Sequence, residues 1–288
     1  MKRVAILGCE NSHANSFLSF IKNNEEFSDV EVVGVYSDET EAAEKLSKEY
    51  GVPVMADYHD AIGKIDGLVI TARHGDNHLK YADPYIASGI PMFIDKPITA
   101  TEADAITLAK RLKAGDIKIT GGSILKQANF VEKLKAEAKA EVGGKTLSGL
   151  VRSPYQPQNA YGGFSFYAQH LVEIVLEIFG RFPISVSAKQ NGKQLHVLFH
   201  YEEFDCVGLF CDNNYVYYAC RMSEEGASGD IIDLDGASYK EFKEFYDLLE
   251  GKEQTITYEE FVSPVFVMNA ILRALESGSE EPVGRLAE

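Results

Sequence analysis

The residues best placed for chemistry stand at Asp95-Lys96-Pro97, directly after the apolar run Met92–Ile94. Such a run reads as the buried strand of a parallel sheet. Proline cannot continue a central strand, so the chain turns at Pro97. Ligands of open α/β sheets bind outside the carboxyl ends of the strands, and the turn would hold the Lys96 ammonium over that crevice. The bland alternative is a strand-end salt bridge with a turn proline. A second polar group, Thr71-Ala72-Arg73-His74-Gly75-Asp76-Asn77-His78, follows the run Gly67–Thr71 and borders the same crevice. Asp76 or Asn77 is expected to cap the next helix; His74 and His78 either reach a ligand or coat a solvated loop.

A third group, Gly8-Cys9-Glu10-Asn11-Ser12-His13, joins the first strand to the first helix. A dinucleotide's pyrophosphate rests on a helix N-terminus in such a loop, and the usual fingerprint has three glycines. Only Gly8 is present, with Glu10 and His13 in the other two places. A side chain at the second place hinders backbone approach, and a carboxylate there repels phosphate. Asn11, Ser12 and His13 remain as polar contacts, His13 reading equally as a phosphate ligand or an ordinary first-turn histidine. At the end of the second strand, where an acid takes ribose hydroxyls, Ser37 stands with Asp38 one place on. Serine would tolerate a 2′-phosphate, yet no arginine adjoins. Asp38 serves a ribose or caps the next helix, so the choice between NAD and NADP stays open. In the second half, His170 is an acid/base candidate or a structural histidine, with Phe166 and Glu173 on its helical face. Neither Ser-His-Asp nor HExxH spacing points to a hydrolase.

These groups need elements to hold them. Apolar runs predict strands at Val4–Leu7, Val30–Tyr36, Val52–Met55, Gly67–Thr71, Met92–Ile94 and Ile117–Thr120. Amphipathic helices are expected at about 13–23, 40–50, 77–88 and 101–113. Strands alternating with helices mean βαβ units and a doubly wound parallel sheet. After Gly121-Gly122 the pattern changes. Helices are expected at 128–140, 165–179, 239–249 and 258–277, and strands at 147–151, 184–188, 195–201, 206–211 and 215–221. The Asn213-Asn214 turn suggests antiparallel hairpins. The fold class is therefore α/β: a Rossmann-type domain over 1–121, then an α+β domain over 122–288 with an open antiparallel sheet.

Composition narrows the function. A formal net charge of −16 over 288 residues argues against a nucleic-acid surface, which needs a basic face. No run approaches a membrane span, and the apolar start is too short for a signal peptide. Cys9, Cys206, Cys211 and Cys220 form no CxxC pair, so no zinc or redox motif is indicated, and a reducing cytoplasm is the default.

Together VAILG (4–8), VVGVYS (32–37), ADYHDAI (56–62), NHLKYADPYIASGIPMFIDKPIT (77–99) and YGGFSFYAQHLVEIVLEIFG (161–180) resemble the glucose–fructose oxidoreductase / inositol dehydrogenase / rhizopine-catabolism (Gfo/Idh/MocA) family along essentially the whole chain. DKP matches that family's EKP motif with a conservative change. The resemblance implies that Lys96 lies near the nicotinamide and the reacting hydroxyl, that Pro97 shapes the turn, and that His170 is the motif histidine. It implies NAD or NADP as cofactor, with Gly8, Glu10, Asn11, Ser12, His13, Ser37, Asp38, Thr71, Ala72, Arg73, His74, His78, Asp95 and Lys96 around it. It implies a sugar-, polyol- or hydroxy-acid-like substrate, and a homodimer or homotetramer associated through the second domain's open sheet. Tyr155, Asn159, Tyr161, Phe166 and His170 are expected to line the substrate pocket. Phe166 stands where the family's motif aspartate is expected, four residues before the histidine. With the lost glycines, it makes a non-catalytic sensor the rival to an oxidoreductase.

Overall fold

The computed structural model describes residues 1–286. The chain divides into two compact units, one of Met1–Gly122 with Ser238–Phe261, the other of Ser123–Ala237 with the chain from Val262 on. The first unit thus reclaims residues 238–261 from the expected second domain of 122–288.

In the first unit, β1 (Lys2–Leu7), β2 (Val30–Tyr36), β3 (Gly67–Ile70), β4 (Met92–Asp95) and β5 (Ile119–Gly122) form one sheet. Its order is β2-β1-β3-β4-β5, all pairs parallel. The order reverses between β1 and β3, the position at which doubly wound sheets open their ligand crevice. The expected strand 52–55 reduces to one bridge, Val35 to Val54, because Pro53 has no N–H to extend the ladder. The connecting helices are α1 (Ser12–Asn23), α2 (Thr40–Tyr50), α3 (Asp76–Ala82) and α4 (Glu102–Ala114). The helix expected over 77–88 tightens into a 3-10 turn at Asp83–Ser88, where Pro84 enters. Thr101 caps α4 by accepting from the Asp104 amide. Helix α7 (Ala237–Leu249) places Phe242 and Phe245 in the first unit's core beside Phe17, Phe27 and Phe93.

In the second unit, seven strands run β11-β10-β6-β9-β8-β7-β12: β6 (Thr146–Tyr155), β7 (Ser185–Asn191), β8 (Gln194–His200), β9 (Asp205–Asp212), β10 (Tyr218–Ser223), β11 (Gly226–Ile231) and β12 (Glu281–Pro282). The sheet is mixed rather than antiparallel, because β6 and β9 pair in parallel. Asn213-Asn214 therefore closes no hairpin: β6 lies between β9 and β10. Helices α5 (Asn129–Lys139), α6 (Phe164–Phe179) and most of α8 (Tyr258–Ser277) complete this unit. Helix α6 seats the Phe179 ring directly against Gly149 of β6, where a Cβ would lie 2.0 Å from the ring.

Candidate functional site

The site of the first unit is built on β4. Met92, Phe93, Ile94 and Asp95 are all fully buried. Burial of the three apolar side chains contributes about 1.5–3 kcal/mol each. Gly121 of β5 lets the neighbouring strand close on it. With φ +130°, a Cβ there would stand 1.9 Å from the Ile94 carbonyl oxygen. The strand ends at Asp95, and Lys96 follows, 5 % exposed. Burial lowers the Lys96 amine to about 8, against the pull of Asp95 in the other direction.

Asp95 is held from the α1 side. Asn11 caps α1, and its Nδ2 donates to Asp95 Oδ2 at 2.5 Å. His13 Nδ1 lies 3.4 Å from Asp95 Oδ1 and 3.1 Å from Glu241 Oε2 of α7. Burial pulls the imidazole's pKa down, but the Asp95 and Glu241 carboxylates outweigh it and raise it to about 9. His13 is therefore a cation held between two buried carboxylates. Ser12 opens α1, and its hydroxyl donates to Asn11 Oδ1.

The surviving fingerprint glycine, Gly8, has φ +90°, and a Cβ there would lie 2.1 Å from the Ala72 amide nitrogen. Thr71 is buried and its hydroxyl donates to the Gly8 carbonyl at 2.5 Å. Gly8, Thr71 and Ala72 thus weld the ends of β1 and β3 at the crevice floor. Glu10 spans that floor. Its Oε2 accepts from Ser37 Oγ at 2.6 Å, at the end of β2, and its Oε1 accepts from the Arg73 amide at 2.8 Å, beyond β3. Asp38 accepts from Tyr36 Oη at 2.7 Å and pairs with Lys80 at 3.2 Å. Glu39 rather than Asp38 holds the cap position of α2, and its side chain makes no capping hydrogen bond.

The strand–loop–helix frame and the amides at the start of α1 fit a dinucleotide, and the Glu10 carboxylate stands against its phosphates. His78 is corrected to a strut. It is fully buried, with Nε2 2.8 Å from the Ala72 carbonyl and Nδ1 3.1 Å from that of Ile98. His74 is partly exposed and accepts from the Asp76 amide.

In the second unit, His170 is 5 % exposed, and its Nδ1 pairs with Ser123 Oγ at 2.7 Å. The same hydroxyl accepts from the Leu125 amide, capping a 3-10 turn. Phe166 stacks near Tyr161 at a ring distance of 5.7 Å. Glu173 is buried, bonded by Gln169 and paired with Arg181; burial raises its carboxyl above the ordinary value. Tyr155, expected to line a pocket, is instead 2 % exposed, packed on Phe164 and Phe210 with its hydroxyl on Gln190. Asn159 shapes its own loop, accepting from the Tyr161 amide and donating to Gln156. That loop borders a cavity of about 370 Å³ lined by Gln156, Asn159, Asp212 and Asn213 among others.

Glu241 is the site residue that sequence reasoning missed. A signal was present: it is spaced four residues from Ala237 and Phe245, on the apolar stripe of α7, where a carboxylate is out of place.

Residues 2–120 match the family model described as oxidoreductase family, NAD-binding Rossmann fold (GFO_IDH_MocA). No curated protein matches the chain in sequence. Among solved structures, a putative myo-inositol dehydrogenase from Sinorhizobium meliloti is similar at TM-score 0.84 and 17 % identity, covering 99 % of this chain and 100 % of the other. A myo-inositol dehydrogenase from Corynebacterium glutamicum superposes at TM-score 0.84 and 16 % identity, with 99 % of each chain covered. GenD2 of gentamicin A biosynthesis, solved with NAD, superposes at 0.85 and 15 % identity, covering 98 % of this chain and 96 % of that one. These likenesses concern the fold, and the family model matches the first unit: residues 2–120 are similar to the NAD-binding Rossmann fold of the GFO_IDH_MocA oxidoreductase family.

Proposed function

We propose that the protein is an NAD(P)-dependent oxidoreductase acting between a hydroxyl and a ketone on a sugar-, polyol- or hydroxy-acid-like substrate. The observation that carries the reading is Lys96, a buried amine brought down to about 8 at the carboxyl end of a central strand. Such an amine donates a hydrogen bond to the reacting oxygen and stabilises the negative charge that develops on it. With a pKa near neutrality it also exchanges a proton with that oxygen. Bound NAD(P) supplies the hydride acceptor or donor. Asn11, Ser12 and the first amides of α1 would hold the pyrophosphate, with Ser37 and Asp38 towards the ribose. The proton-carrying or substrate-orienting role goes to His170, whose ring orientation the Ser123 hydroxyl fixes.

The test is fluorescence titration with NADH and NADPH, then a substrate panel beginning with inositols, after which several of the similar dehydrogenases are named. Lys96→Met is expected to lower turnover at least ~10²-fold, the scale of losing one charge-stabilising donor. No saturable binding of either dinucleotide at millimolar concentration would sink the reading. A second reading, a dinucleotide sensor without turnover, is favoured by one observation: the Glu10 carboxylate across the crevice floor. Saturable binding with no turnover on any substrate would select it.

We also propose a homo-oligomer in the cytoplasm, joined through the second unit's sheet. Leu150, Leu198, Val207 and Leu209 alternate with buried residues and are only half-buried, forming an apolar strip across β6, β9 and β8. The four cysteines are free and buried, in keeping with a reducing compartment. Light scattering of the wild type and of Leu209→Arg tests the assembly: a dimer or tetramer that falls to monomer supports it, and a wild-type monomer refutes it.

A further inference from the structure

We propose that His13, Asp95 and Glu241 form a binding site for one divalent first-row transition ion of the Zn²⁺ or Mn²⁺ kind, at the start of α1. The site goes beyond the hydride-transfer reading and needs no dinucleotide. Its donors come from three distant segments, and one ligand atom from each lies within 4.8 Å of the others. The side chains of His13, Asp95 and Glu241 are 11 %, 0 % and 1 % exposed. Nδ1 of His13 stands 3.1 Å from Glu241 Oε2 and 3.4 Å from Asp95 Oδ1. Ligand atoms at about 2.0–2.2 Å from one ion are separated from each other by about 2.8–3.1 Å in octahedral and about 3.3–3.6 Å in tetrahedral arrangements, so both spacings suit adjacent ligands.

A second observation is independent of that spacing. His13 Nδ1 and Asp95 Oδ1 are buried and make no hydrogen bond of acceptable geometry. Buried polar atoms of native proteins are nearly always satisfied, and exceptions point to an unrepresented water or ion. A single imidazole N–H can aim at only one acceptor, yet two carboxylates converge on this nitrogen. The other Asp95 oxygen is already held by Asn11, the outer support that fixes a ligating carboxylate. One imidazole with two carboxylates suits Zn²⁺, Mn²⁺ or Fe²⁺ better than a thiolate-seeking ion. On binding, the ion would stand between the imidazole and the two acids, and any proton on the ligating nitrogen would leave to solvent. The ion would tie the start of α1 to the end of β4 and to α7, fixing the turn that presents Lys96.

The test uses the full chain, stripped with chelator and titrated with Zn²⁺ and with Mn²⁺ by calorimetry. One ion per chain is expected, with micromolar or tighter affinity and a raised melting temperature. Glu241→Gln and Asp95→Asn are each expected to weaken binding at least ~100-fold. In wild-type protein labelled with ¹⁵N-histidine, Zn²⁺ should move the His13 Nδ1 resonance to its metal-bound position, a readout that does not depend on either variant folding. No binding at millimolar ion, variants that bind like the wild type, or a His13 signal unmoved at stoichiometric Zn²⁺ would each overturn the site. Binding confined to exposed histidines such as His59 falls under the last of these.

Discussion

Glu10→Gln isolates one charge at the crevice floor. The carboxylate is pinned by Ser37 Oγ at 2.6 Å and by the Arg73 amide at 2.8 Å, and glutamine can keep both contacts with its amide. A phosphate bonded to the same hydroxyl or the neighbouring amides lies about 5–7 Å from that carboxylate. At an effective dielectric between about 20 and 80, each unit of phosphate charge then meets roughly 0.6–3 kcal/mol of repulsion. Taking the middle of that range, the variant should bind NADH about tenfold more tightly, since 1.4 kcal/mol is one decade. NADPH should gain more, because its 2′-phosphate adds a charge of about −1.5 to −2 on the Ser37 side. The assay is a pair of fluorescence titrations, NADH and NADPH, on wild type and variant at fixed salt. NADH affinity that is unchanged, or weakened threefold or more, would refute the reasoning. It would show Glu10 to be a ribose ligand or remote from the phosphates.

Other perturbations probe the frame. Gly121→Ala forces a Cβ into the Ile94 carbonyl at a backbone angle that L residues rarely adopt; it should cost at least ~3 kcal/mol in denaturant unfolding. A loss under 1 kcal/mol would mean that β5 sits further from β4. Arg181→Met removes the guanidinium that pairs the buried Glu173 and Glu177 carboxylates, leaving Glu177 to Lys135 alone and Glu173 without its cation, and should cost about 3–5 kcal/mol. An unchanged unfolding midpoint would count against the pairing. His78 is held below its ordinary value of 6.5 by burial, which outweighs the two carbonyls. The unfolded chain therefore binds more protons just below pH 6.5. Stability is full above that pH and falls on acidification through it. His78→Gln should flatten this limb of the curve of melting temperature against pH, and an identical slope would contradict the strut assignment.

What could be read locally, the sequence shows well. Strands β1, β2 and β4 are apolar runs ended by glycine, serine or proline, and Thr101 and Asn11 are side-chain caps at the starts of α4 and α1. Pairings between distant segments were not readable in this way. The partnership of β6 with β9 is parallel and non-local, so the Asn213-Asn214 turn looked like a hairpin that another strand in fact interrupts. At the site, the ends of β1, β3 and β4 were legible as the border of a crevice, because strand termini follow from the strands. The destinations of the side chains were not: Glu10 crossing to Ser37, His78 turning inward, Tyr155 packing on Phe210. The place of Glu241 on an apolar stripe marked it as unusual, but its meeting with His13 and Asp95 was hidden for the same reason, since both lie more than a hundred positions upstream.

The return of α7 to the first unit has a consequence for how the chain acquires its shape during synthesis. Tyr239 and Glu26 are bonded across 213 positions, and Phe242 packs on Phe17 and Phe27 at ring distances of 4.9 and 4.8 Å. As the polypeptide leaves the ribosome, residues 1–122 form a sheet whose aromatic flank stays uncovered until more than a hundred further residues have been made. A truncated fragment ending at Gly122 should therefore aggregate or bind a chaperone. The same fragment co-expressed with residues 238–261 should recover solubility, since contacts of large sequence separation must wait for their last partner.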